Sequence, residues 1–260
     1  MGGARLIEYP VHMSQREPVS IKRLLVATDG EPAADSALRV ARRIAERDAA
    51  DVEVVGVFCP RIPVPPLTAD SFDHRCEPRD RSEFEALGRA IEHQLRDRIG
   101  VAWPVHLCVG HPAARITELA RSIRADLIVL GHTMPTANQE HRPGRHTAEQ
   151  IAISCDIPVL TVPPGCDDLP HEVVAVDDGS AVSRRLLTVA TAVLAAGGTI
   201  RETTTPVNRA LLRYAESLHA DLLALPLHGD TAKTRVLMGG AVLDVLDHAR
   251  GAILITPSAA

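Results

Sequence analysis

Aromatic residues are scarce in this sequence: three Phe, two Tyr and one Trp make up 2% of 260 positions. That argues against a platform for stacking nucleic-acid bases, which is built from aromatic rings. Positive charge is not in excess either. The net charge of −5 gives no attraction to nucleic acid or to an anionic membrane. No apolar run approaches the roughly 20 residues of a membrane span. The N-terminus lacks the charged-then-apolar order of a secretory signal. The five cysteines, Cys59, Cys76, Cys108, Cys155 and Cys166, form no CxxC pair, which points to reduced thiols and a cytoplasmic location. Cys108 and Cys155 lie in apolar runs and read as core residues. The histidines number twelve, but His132, His141 and His146 lack zinc-ligand spacing, so their stretch reads as a solvated polar loop.

What the chain does have is a phrase used twice. Ala125-Asp126-Leu127-Ile128-Val129-Leu130-Gly131 returns as Ala220-Asp221-Leu222-Leu223-Ala224-Leu225-Pro226. Ile116 and Ala120 precede the first copy at helical spacing, and Leu211 and Ala215 precede the second. A repeated helix–strand–loop unit implies two copies of one fold.

Residues 1–19 show no sustained period and read as a flexible tail. Strand patterns then begin at Ile21, Val52, Val105, Ala125 and Ile157. Helical stripes separate them: Ala34, Leu38, Ala41 and Ala45; Phe84, Leu87, Ile91, Leu95 and Ile99; and those around Ile116 and Ile151. Residues 59–80, with five prolines, read as a loop. Regular alternation of strand and helix predicts an α/β fold with a parallel sheet covered on both faces. Residues 164–171 read as a linker, and a new strand starts at Val173. Placing Asp178-Gly179 on Asp29-Gly30 gives an offset of 149, whereas Asp221 on Asp126 gives 95, so the second copy has lost 54 residues. The loss falls where the first copy has its second strand, proline loop and second helix. The predicted architecture is two tandem doubly wound domains, 20–163 and 172–260, the second lacking one strand and one helix.

Four features in this order resemble the universal stress protein family: the strand ending in Asp29-Gly30, the Gly110-His111-Pro112 helix entry, Ala125–Gly131, and the closing Pro158-Val159-Leu160 strand. The resemblance implies a five-stranded parallel sheet in a full domain. It also implies antiparallel pairing of closing strands, here 157–162 with 252–256, giving an intrachain pseudo-dimer, or a homodimer. Nucleotide-binding members carry Gly-x2-Gly-x9-Gly-Ser/Thr after the fourth strand, where glycines let backbone N–H groups and a helix N-terminus approach phosphate. Here Gly131 is followed by Met134, Gly144 and Arg145. Counting back from Pro158 places Arg145-His146 at the third position instead. The second copy keeps the spacing as Pro226-x2-Gly229-x9-Gly239-Gly240 but loses the first glycine and the hydroxyl.

The resemblance places Asp29 at the nucleoside and Val57 at the base through its backbone. Gly131 and Gly144 would cradle phosphate, with Arg145 and His146 supplying charge where glycine and hydroxyl are lost. The competing readings are an Asp capping the helix that begins near Pro32 and turn glycines held at positive φ. Asp178 has the same two readings, and with half its pocket deleted it reads as a helix cap. The implied function is a non-enzymatic stress-response protein, binding ATP or another adenine nucleotide weakly, or no cofactor, with at most slow ATP hydrolysis. The alternative is an ATP-using enzyme of the wider nucleotide-binding α/β group. Neither a Ser-Gly-Gly-x-Asp-Ser loop nor a His-x-Gly-His pair stands where such an enzyme would carry it.

Overall fold

The apolar strand runs and amphipathic stripes of the sequence become nine strands and the helices between them. The computed structural model describes residues 20–60, 78–131, 145–228 and, with gaps at 243 and 247, 242–258. In the first half, β1 (Arg23–Ala27) turns through a 3-10 segment (Pro32–Ala34) into α1 (Asp35–Asp48), then β2 (Asp51–Phe58). Helix α2 (Pro78–His93) continues as a π-helical turn (Gln94–Ile99), followed by β3 (Val105–Val109) and α3 (Pro112–Ser122). Then come β4 (Leu127–Gly131), α4 (Arg145–Ser154) and β5 (Val159–Val162). The second half runs β6 (Glu172–Val176), α5 (Ala181–Val193), β7 (Thr199–Thr203), α6 (Arg209–Ser217), β8 (Leu222–Leu227) and β9 (Ala252–Pro257).

All nine strands form one sheet in the order β3-β2-β1-β4-β5-β9-β8-β6-β7. Every neighbouring pair is parallel except β5 and β9, which run antiparallel with Val159 opposite Ile255, Leu160 opposite Leu254 and Thr161 opposite Ile253. Read outward from that seam, the halves follow the same order, β5-β4-β1-β2 and β9-β8-β6-β7, as a pseudo-twofold axis requires. The strand alternation sends Leu24 and Val26 to the face covered by α1, α5 and the π turn. Leu25 and Ile128 point to the face covered by α3, α4 and α6. Each fully buried Leu or Ile contributes roughly 1.5–3 kcal/mol.

The repeated Ala-Asp-Leu phrase has a backbone reason. Asp126 Oδ2 accepts the N–H groups of Lys22 (2.8 Å) and Arg23 (2.9 Å), fixing the start of β1 beside the start of β4. Asp221 Oδ2 does the same for His171 (3.0 Å) and Glu172 (3.1 Å) ahead of β6. The left-handed turn before each phrase is also repeated, at Arg124 (φ 55°) and His219 (φ 53°).

One expectation needs correcting. The second strand of the second half is not missing: β7 lies against β6 as β2 lies against β1. In chain order β7 also stands where β3 would, directly ahead of α6. The 54-residue loss spans the distance from the start of β2 to the start of β3, so one strand serves for two. It takes the inner slot because a strand displaced to the outer slot would have no neighbour to pair with. Among the described residues the outermost position is vacant, and β7 is an edge strand carrying exposed Arg201 and Glu202, charges that discourage further pairing.

Candidate functional site

Open α/β sheets bind ligands beyond the carboxyl ends of their strands, where the strand order reverses. In the first half that point lies between β1 and β4, and a cavity of about 320 Å³ opens there. Its apolar walls come from Ala27, Val55 and Leu130 at the strand ends and from Ile116 of α3; Asp29, Val57, Gly131 and Thr147 also line it, with Cys59. Three of the sequence-predicted residues, Asp29, Val57 and Gly131, therefore meet in one cavity. Gly144 lies outside the described residues, as do Met134, His132 and His141. Arg145 and His146 open α4, but their side chains also lie outside the described residues.

Asp29 is exposed, and its Oδ1 accepts the Glu31 N–H at 3.0 Å. This is a tight turn made by an Asp side chain with the backbone two residues on. It does not cap a helix: the residue ahead of the 3-10 turn is Glu31, and the one ahead of α1 is Ala34. Val57 lies beyond Ala27–Val55, the last β1–β2 pair. The Val55 carbonyl accepts the Thr28 N–H at 3.0 Å. Strand backbones alternate, so Val57 turns its own N–H and carbonyl the same way, toward the cavity. Gly131 is absent from the positive-φ glycines, so the turn reading fails for it. It is glycine because of close approach: a Cβ there would sit 2.8 Å from Ala34 Cα and 3.2 Å from Ala34 Cβ. Gly30, by contrast, does need positive φ (+81°).

Thr147 was not singled out from the sequence. It stands in the first turn of α4, where free N–H groups and the positive end of the helix dipole favour an anion. It lines the cavity and stands two residues after the position that the family pattern gives to Ser or Thr. Letting the third motif position slide past His146 would have found it.

The equivalent place in the second half is spent internally. Asp178 repeats the Asp29 turn, accepting the Ser180 N–H at 3.0 Å. Its other carboxylate oxygen, however, lies 2.6 Å from His228 Nε2. Asp178 is not the helix cap expected; Ser180 caps α5 by accepting the Ser183 N–H. Burial opposes ionisation of Asp178, but hydrogen bonding from Ser180 and the charge of His228 outweigh it, pulling the carboxyl from 3.8 to about 2. A depressed carboxyl stabilises the fold above its unfolded value and loses that contribution as pH falls through its folded value. The side chain is 41% exposed, so screening limits the contribution to about 1 kcal/mol. Denaturation curves of wild type and Asp178→Asn should therefore converge as pH falls from 3.8 to about 2. A constant gap across that window would show that the ion pair contributes nothing.

Among the described residues no helix is long and apolar enough to cross a membrane, and no cluster of three metal-ligating side chains occurs. No curated protein matches the chain. A universal stress protein from Archaeoglobus fulgidus has a similar structure, with TM-score 0.63 at 14% identity, over 90% of this chain and 98% of that one. A functionally unknown protein from Pseudomonas aeruginosa is similar with TM-score 0.56 at 13% identity, over 92% of this chain and 93% of the other. At such identities the likeness concerns the fold. The family model of the universal stress proteins matches residues 20–163, more than half of the sequence, and on that match the chain belongs to the universal stress protein family.

Proposed function

We propose that this chain is a non-enzymatic stress-response protein that binds an adenine nucleotide weakly in residues 20–163. Residues 172–260 form a second, shortened domain that serves as the first one's partner, with 164–171 as the linker. The observation that carries the ligand reading is the cavity at the ends of β1, β2 and β4, where Asp29, Val57, Gly131 and Thr147 converge. Its apolar walls suit a base, the Asp29 carboxylate suits ribose hydroxyls, and the start of α4 suits a phosphate. The second half supports a division of labour, since its own Asp178 is committed to His228.

Affinity is expected to be low. Met134 stands where a glycine would admit phosphate, so a dissociation constant on the order of 10 μM or weaker is expected, about −7 kcal/mol. Calorimetry with ATP should find that value, and it should weaken as salt rises, because exposed charges are screened beyond roughly 8–10 Å. Asp29→Ala should weaken binding a further tenfold or so, given that a hydrogen bond to a charged group is worth about 1.5–3 kcal/mol. Nanomolar binding would refute the low-affinity argument. No heat with ATP, and no nucleotide released on denaturing the purified protein, would leave a fold kept for assembly alone. Turnover of ATP beyond slow hydrolysis would favour the enzyme alternative.

A further inference from the structure

The loop that carries Asp29 is held from below by a side chain 63 residues away from Glu31. Gln94 is fully buried at the first position of the π turn. Its Oε1 accepts the Thr28 hydroxyl at 2.7 Å, and its Nε2 donates to the Glu31 carbonyl and to Asp35 Oδ1, both at 2.8 Å. The Thr28 Oγ1 in turn accepts the Gly30 N–H at 3.1 Å. The orientation of the amide follows from its partners. Flipped, Oε1 would face two other acceptors. Arg98, one turn on, donates to Asp35 Oδ2 and so anchors the acceptor that Gln94 uses. Thr28, Gly30 and Glu31 are thus all fixed around Asp29.

The second half is a built-in comparison, because the 54-residue loss removes any counterpart of Gln94 and Arg98. There Asp177 takes over the role of Thr28, accepting the Gly179 N–H at 2.9 Å and the Ser183 hydroxyl at 2.6 Å. The following carboxylate, Asp178, is turned onto His228. With the clamp, Asp29 faces a cavity; without it, the equivalent Asp is consumed within the fold. A π turn is a costly local geometry that recurs at functional sites, and here it places a polar amide where an α-helical stripe would put an apolar residue.

We infer that Gln94 and Arg98 are positioning residues for the ligand site: they hold the Thr28–Glu31 loop so that the Asp29 carboxylate stays turned to the cavity. This rests on the reading of that cavity as a nucleoside site. The test uses the full chain and two probes, adenosine and adenine, with Gln94→Met, Asp29→Ala and the double variant. Gln94→Met should lower adenosine affinity by about tenfold, as Asp29→Ala does, with adenine affinity unchanged. The double variant should lose no more than either single one, since the two act through one contact. Equal losses for both probes, or losses that add, would mean that Gln94 is only a core residue and would overturn the inference.

Arg98→Lys keeps the charge, loses the planar fork and covers the case in which Gln94→Met does not fold. In either folded variant, amide exchange at Gly30 and Glu31 should speed up while β1 and β4 stay protected; unchanged exchange would also overturn the inference. A wild-type protein that binds neither probe would sink the ligand reading. Exchange at Gly30 and Glu31 would still decide whether the clamp holds the loop.

Discussion

Val159→Lys is expected to cost at least about 4 kcal/mol, a large part of the 5–15 kcal/mol that keeps a typical domain folded. Val159 is fully buried, flanked by Ile128 on the parallel side and Ile255 on the antiparallel side. It belongs to a buried apolar cluster, where an ammonium group is costly to desolvate. Strand β5 has only four residues, all buried, and a one-residue slip would put every side chain on the wrong face. The lysine reaches water only if the elements packed over this face of the seam, α4 among them, move away from the sheet. Denaturant titration should show a much lower midpoint, and the second half should become sensitive to protease. Glu202→Lys on the exposed edge strand β7 is the control and should stay within about 0.5 kcal/mol. A Val159→Lys protein as stable as wild type would mean that the seam does not hold the halves together.

Gly30→Val should cost about 2–6 kcal/mol, from two sources that can be separated. A β-branched residue at φ +81° carries a conformational penalty of about 1–3 kcal/mol. A Cβ there would also lie 2.7 Å from Ala90 Cβ and 3.1 Å from the Ala90 carbonyl carbon, and such overpacking adds about 1–3 kcal/mol. Relief would require α2 to move away from the loop, carrying the π turn and Gln94 with it, so ligand affinity should fall together with stability. Gly179 is the counterpart in the second half. It has nearly the same φ, +77°, but among the described residues nothing lies within 4 Å of its would-be Cβ. Gly179→Val should therefore show the conformational penalty alone. Equal losses at the two positions would refute the close contact with α2.

Much of the fold was legible because it is written in local patterns. Strand runs, helical stripes and the two Ala-Asp-Leu phrases carry their meaning within ten or so residues, and the resemblance they support pointed to the β5–β9 pairing. Asp29 could be singled out because its strand is visible as an apolar run that stops, whereas Val57 and Gly131 came with the family resemblance. What escaped depends on pairs distant in sequence. The Asp178–His228 contact joins two strand ends across fifty residues. The slot occupied by β7 is decided by which neighbour a strand can bond to, and sequence spacing fits both slots equally. Gln94 did leave a trace: it stands three residues after Ile91, on the buried stripe, where a polar side chain is out of place unless it has partners. The stretch from 132 to 144, where the sequence argument about phosphate rests on Met134 and Gly144, lies outside the described residues.

The seam of β5 and β9 has a consequence for how this chain meets others of its kind. Two separate chains that pair through such strands dissociate on dilution and can swap members with any chain offering a compatible edge. Here both strands belong to one polypeptide, so each faces its partner at an effective concentration in the millimolar range set by the short connection from β5 to β6 that joins the two halves. Dilution does not separate them, and a stray chain must outcompete a tethered one. Synthesis delivers the two in equal number. Under those conditions the second half is free to lose a ligand pocket without penalty, provided that it keeps the strand that closes the sheet.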